Sequence, residues 1–101
     1  MPAYMISHVT VTNKEKFASY FDKTRAVGAK YGAKPLAIGV QPRMLSGESD
    51  GHQMVVVAEF ESMDALDAWH NSDEYKALVP LREEGSDQRM VAYEAKPLPQ
   101  A

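Results

Sequence analysis

The 101-residue sequence contains no cysteine. Its absence excludes disulfides, thiolate nucleophiles and cysteine-held zinc or iron–sulfur clusters together. An excess of positive charge is also missing. Lys and Arg number 11 against 14 Asp and Glu, for a net charge of −3 and a pI near 5.5. Nucleic-acid binders and proteins drawn to anionic membranes carry the opposite balance, so neither nucleic acid nor membrane is an expected partner. The longest unbroken apolar run, residues 54–58, is far too short to span a bilayer. The opening Met-Pro-Ala-Tyr shows no basic region followed by an apolar stretch, so a cytoplasmic location without a secretory signal is expected. There is no Gly-rich phosphate loop, no Gly-x-Ser-x-Gly elbow and no dinucleotide fingerprint. The three histidines are scattered without metal-ligand spacing, so neither metal nor cofactor is expected.

What is present is a globular pattern, with 45% hydrophobic residues. Residues 4–11 mix β-branched and aromatic side chains and read as a strand. Thr12-Asn13-Lys14-Glu15 has capping-box spacing with Thr12 as the cap. Phe17, Tyr20, Phe21, Thr24, Val27, Gly28 and Tyr31 then recur at the intervals of one buried helix face, and Gly32 supplies its left-handed end. Residues 35–40 predict a second strand with Leu36, Ile38 and Val40 on one face and Gly39 at a bulge or close approach. Residues 46–51 read as a loop or hairpin tip. Residues 53–60 form the third and most apolar strand.

Ser62 is the expected N-cap of a helix that turns Met63, Leu66 and Trp69 inward. Ser72 caps a further helix with Tyr75, Leu78, Val79 and Arg82 on one face, and Pro80 should kink or restart it. Residues 87–94 predict the last strand, with Met90 and Ala92 alternating against Val91 and Tyr93. The order β-α-β-β-α-β describes an α+β, ferredoxin-like fold: an antiparallel four-stranded sheet with helices on one face. A single domain over residues 1–95 and an extended C-terminal tail over residues 96–101 are expected.

Met54, Val55, Val56, Val57 and Ala58 place apolar groups on both faces of that sheet, where a one-sided antiparallel sheet would alternate. Two helical regions cover one face only. A second copy of the chain is the simplest cover for the other, which predicts a homodimer.

Several residues also carry a family resemblance. Tyr4, the helix with Phe17 and Tyr20, Glu59-Phe60-Glu61-Ser62, Ala68-Trp69, Ser72-Asp73-Glu74-Tyr75 and Arg82 together resemble domain-of-unknown-function family 1330. The resemblance covers roughly residues 3–94 and implies the dimeric α/β-barrel superfamily, hence fold and dimerisation. The sequence departs from the family pattern in two places. Ile38-Gly39-Val40 stands where the family commonly has Arg-Gly-Gly, and Asp73 where it commonly has Pro. The missing arginine removes a cation from any inherited anion site.

Candidate functional residues follow from chemistry. His8, the one histidine within a strand, is a candidate general base. Glu59 shares a face with Val55 and Val57, where a buried carboxylate needs a partner or a raised pKa. Antiparallel pairing puts Glu59 near Tyr4 rather than beside His8, so a dyad of these two within one subunit would be strained, and the partner subunit is the alternative source of the match. Arg82, on an apolar helix face, needs an acceptor, with Glu59, Glu74, a carbonyl or an anionic ligand as options. Tyr20, Trp69 and Tyr75, with Arg82, are candidate ligand-binding residues between helices and sheet, although aromatics at helical spacing also serve as core. His52 and His70 read as solvated surface residues. The expected function is a small homodimer that binds a small organic molecule in a helix–sheet or intersubunit cavity. The alternative is a cofactor-free monooxygenase or isomerase acting on a small aromatic or carbonyl compound through His8, Glu59, Tyr75 and Arg82.

Overall fold

The computed structural model describes residues 1–99. Its elements in order are β1 (Ala3–Val11), α1 (Lys14–Lys30), β2 (Lys34–Val40), β3 (Met54–Phe60), α2 (Met63–His70), α3 (Asp73–Lys76), α4 (Val79–Gly85) and β4 (Ser86–Glu94). The four strands form one antiparallel sheet in the order β2-β3-β1-β4. This is the α+β, ferredoxin-like arrangement that the sequence pattern predicts.

The helix ends follow local chemistry, with one correction. Asn13, not Thr12, caps α1, its side chain accepting from the Lys16 amide at 3.1 Å. The Thr12 and Asn13 amides instead donate to Gly85 O at 3.0 and 3.1 Å. Ser62 and Ser72 cap α2 and α3 as expected, accepting from Ala65 N and Tyr75 N. Pro80 divides the last helical region: it stands in the first turn of α4, where a missing amide costs no hydrogen bond. After α1, Gly32 adopts φ +80°, the left-handed conformation that ends the helix.

Strand alternation sorts the side chains. Ala3, Met5, Ser7 and Val9 of β1 turn to the helices, with Ala58 and Phe60 of β3 beside them. They pack with Tyr20, Leu66, Trp69 and Tyr75 in one core. Tyr4, Ile6, His8, Val55, Val57 and Glu59 occupy the opposite face.

β2 corrects a second expectation. The register slips between Pro35 and Ala37, so the bulge is at Leu36 and not at Gly39. Gly39 is the close approach: an added Cβ would lie 2.7 Å from Val55 Cγ1. Leu36 therefore falls out of the alternation that Ile38 and Val40 share.

The connection over residues 41–53 reaches back to the sheet. Asp50 Oδ2 lies 3.1 Å from His8 Nδ1 and 3.4 Å from Arg89 Nη2. Thr10 Oγ1 and His52 Nδ1 are 2.9 Å apart. This loop thus covers one end of the face that the sequence left entirely to a second copy. After β4, residues 95–99 have no regular structure, and Ala95 N donates to Pro2 O at 2.8 Å. Gln100 and Ala101, the rest of the expected tail, lie outside the described residues. No helix is long and apolar enough to cross a membrane among the described residues.

Candidate functional site

Tyr20, Tyr75 and Arg82 converge behind the helix-side core. The Tyr20 and Tyr75 hydroxyls are 2.9 Å apart, and Arg82 Nη1 donates to Tyr75 Oη at 2.9 Å. Arg82 Nη2 donates to Glu83 at 3.0 Å. Neither Glu59 nor Glu74 is the acceptor for Arg82. Glu74 instead pairs with Lys30, and that hydrogen bond raises the lysine pKa. Glu59 stands opposite Tyr4 and Lys34 in the sheet, at the other end from His8, which pairs with Val55.

Tyr75 is 0% exposed. With its hydroxyl held by Tyr20 and Arg82, it has no free group to offer a ligand. Burial, reinforced by the adjacent Tyr75, pushes the Tyr20 pKa well above the ordinary phenol range. For Arg82, burial opposes the charge, and its bonds to Tyr75 and Glu83 outweigh that and leave its pKa raised. His70 is exposed, as expected, but one side stacks against Tyr75 with centroids 5.2 Å apart. Partial burial and then the nearby Arg82 charge lower its pKa.

Trp69 differs from these tyrosines. Its ring is 4% exposed and packs 4.5 Å from Tyr75 and 5.4 Å from Phe60, centroid to centroid. Yet Nε1 is buried with no hydrogen-bond partner among the described residues. Trp69 borders a cavity of about 380 Å³ lined by Phe21, Thr24 and Gly28 of α1 and by Val56 and Ala58 of β3. A Cβ added to Gly28 would lie 3.7 Å from Trp69 Nε1, so this glycine keeps the space before the indole open. A narrow extension continues past Trp69 and Thr24 to Tyr20 and Ser7. The cavity is largely apolar, and two of its wall residues carry buried polar atoms without a partner, Trp69 Nε1 and Thr24 Oγ1, the chemistry that receives a neutral organic molecule carrying an acceptor.

These elements match a known sequence family over residues 2–95, the one described as Domain of unknown function (DUF1330). The chain belongs to that family. Among solved structures, it is similar to the RPA0582 protein of unknown function from Rhodopseudomonas palustris. That likeness has 25% identity and a TM-score of 0.78, over 95% of this chain and 84% of that one. It is also similar to SnoaB, a cofactor-independent oxygenase from Streptomyces nogalater, at 14% identity and TM-score 0.69, over 96% and 95% of the two chains. A dimeric protein of unknown function with a ferredoxin-like fold from Bacteroides fragilis shares 19% identity at TM-score 0.60, over 93% and 96%. The last two likenesses concern the fold alone. No curated protein matches the sequence.

The sequence reading named Tyr20, Trp69, Tyr75 and Arg82 as one ligand-binding group. The structure places Tyr20, Tyr75 and Arg82 in a closed hydrogen-bonded set and Trp69 at the cavity. Sequence reasoning missed Thr24 and Gly28 as cavity residues, because their place on the buried helix face reads as packing. It also missed Asp50 beside His8. The only signal there was a turn-forming Asp-Gly followed by a histidine.

Proposed function

We propose that this chain works as a homodimer that binds a small, largely apolar organic molecule in the helix–sheet cavity. A carbonyl or ether oxygen of the ligand accepts from Trp69 Nε1. The unpaired indole N–H carries this reading, since a buried donor without a partner costs about 1–3 kcal/mol that a ligand oxygen recovers. The cavity volume of about 380 Å³ is also of the order of small-molecule sites, roughly 300–1,000 Å³. The dimeric Bacteroides fragilis relative, together with the apolar open face of the sheet, supports the homodimer.

Trp69 is the sole tryptophan, so its fluorescence reports the site directly. Titration with 1-indanone, a compact neutral aromatic ketone, should change the emission saturably. Calorimetry of Trp69→Phe should show affinity weakened by about tenfold, the equivalent of ~1.4 kcal/mol for one hydrogen bond. The unliganded variant should keep its fold, because the substitution removes the unpaired N–H along with some packing area. Unaltered emission up to the solubility limit, with a native mass spectrum free of any bound molecule, would overturn the reading.

A further inference from the structure

The open face of the sheet carries a second constellation, at the end where residues 41–53 fold back. His8 and Arg89 are cross-strand neighbours on β1 and β4, so an imidazole and a guanidinium stand side by side. Asp50 descends on both from the loop, with Oδ2 at 3.1 Å from His8 Nδ1 and 3.4 Å from Arg89 Nη2. The carboxylate is itself fixed, because Oδ1 accepts from His52 N at 3.0 Å. That backbone bond, with His8, His52 and Arg89 nearby, holds the Asp50 pKa below the usual carboxylate value. These groups border a cavity of about 580 Å³, whose walls include Gly39, Met44 and Val55. His52 also borders it, with Nδ1 occupied by Thr10 Oγ1 at 2.9 Å.

The geometry has a chemical consequence. His8 Nδ1 faces Asp50 Oδ2 at 3.1 Å, so Nε2 is the ring nitrogen turned away from the carboxylate. Nε2 makes no protein hydrogen bond among the described residues. Arg89 meets Asp50 through one nitrogen at a long distance, and its side chain is 61% exposed in the isolated chain, so most of its donors have no partner within the chain. The three potential ligands His8, Asp50 and His52 are not arranged to hold a metal ion.

We propose that the His8–Asp50 pair is a general-base centre for a small 2-oxo acid, with Arg89 binding the substrate carboxylate. His8 Nε2 takes a proton from the carbon beside the ketone. The C–H electron pair becomes the carbon–carbon double bond of the enolate, and the ketone π pair moves onto its oxygen. Return of a proton from His8 to that oxygen completes keto–enol tautomerisation, while return to carbon exchanges the original hydrogen. Asp50 is a positioning residue: it fixes the imidazole tautomer and stabilises the imidazolium that forms. This site is separate from the helix–sheet cavity and does not depend on a ligand there.

The test is hydrogen–deuterium exchange of the phenylpyruvate methylene in deuterated buffer, followed by proton NMR. Wild-type protein should accelerate exchange over an equal concentration of free imidazole. His8→Gln should remove at least about tenfold of the acceleration, the lower part of what a positioned base supplies. Asp50→Asn should lower kcat and shift the pH profile, whereas Arg89→Gln should mainly raise KM. A purely structural role for Asp50 would move the thermal midpoint and leave the pH profile of the folded fraction in place. If His8→Gln fails to fold, the other two variants decide. Exchange no faster than with imidazole, or unchanged in folded variants, overturns the proposal.

Discussion

Arg82 lies on the side of α4 that meets Tyr75, and its side chain is only 18% exposed. Its guanidinium donates to a hydroxyl that also pairs with Tyr20, so three polar groups from α1, α3 and α4 satisfy one another in the interior. Removing one member leaves the buried Tyr20 and Tyr75 hydroxyls short of a partner. Arg82→Ala should therefore destabilise the unliganded protein by about 1–3 kcal/mol, measured by urea denaturation. An unchanged midpoint would mean that Arg82 is not a structural tie. The seven-residue spacing from Tyr75 to Arg82 made their common face legible in the sequence, as did the burial of Tyr20 and Trp69. The acceptor was not legible, because a tyrosine hydroxyl competes with nearby carboxylates on terms that only packing decides. Asp50 was less legible still, separated from His8 by α1, β2 and a loop.

At the scale of elements, the joint between α1 and α4 governs how the helices lie on the sheet. Gly85 O accepts from both Thr12 N and Asn13 N, which ties the end of α4 to the start of α1. A Cβ at Gly85 would come within 2.7 Å of Phe17 N and 3.0 Å of Lys16 C. These are backbone atoms in the first turn of a capped helix and cannot rotate aside. Gly85→Ala should cost about 1–3 kcal/mol, as overpacking does, with a matching loss in thermal midpoint. Stability equal to wild type would show that α1 can shift without penalty.

The same joint explains why one helix cap was misread. The motif at residues 12–15 is a sound local signal, but a carbonyl more than seventy positions along the chain holds the Thr12 amide and leaves Asn13 to cap. The signals at Gly32, Ser62, Ser72 and Pro80 had no such distant competitor, so local sequence sufficed there. The bulge at Leu36 directly follows Pro35, but a proline there reads equally as the start of an edge strand.

At the scale of the whole molecule, apolar surface without cover lies on more than the open face. Ile38 and Val40 stand opposite Val56 and Met54, on the helix side of the sheet, yet they are 54% and 62% exposed. α1 has α4 as its chief neighbour. Met44 and Leu45, in the following loop, are 50% and 85% exposed. Ile6, Val55, Val57 and Val91 are only half-buried in the isolated chain. A standard interface covers roughly 800 Å² per partner. That is a modest part of the chain's 6948 Å², and Ile6, Val55, Val57 and Val91 share the open face that such a contact would cover.

Sedimentation should therefore give twice the chain mass of 11.2 kDa at micromolar concentration. Two substitutions separate the surfaces. Val57→Lys puts a charge at the middle of the open face, and Ile38→Lys puts one at the β2 edge. If the sheets pack face to face, Val57→Lys should produce a folded monomer and Ile38→Lys should weaken the dimer less. The reverse order would place the contact at the edge strand. A wild-type chain that sediments as a monomer would remove the homodimer altogether, because the apolar faces would then be stable in water without a twin.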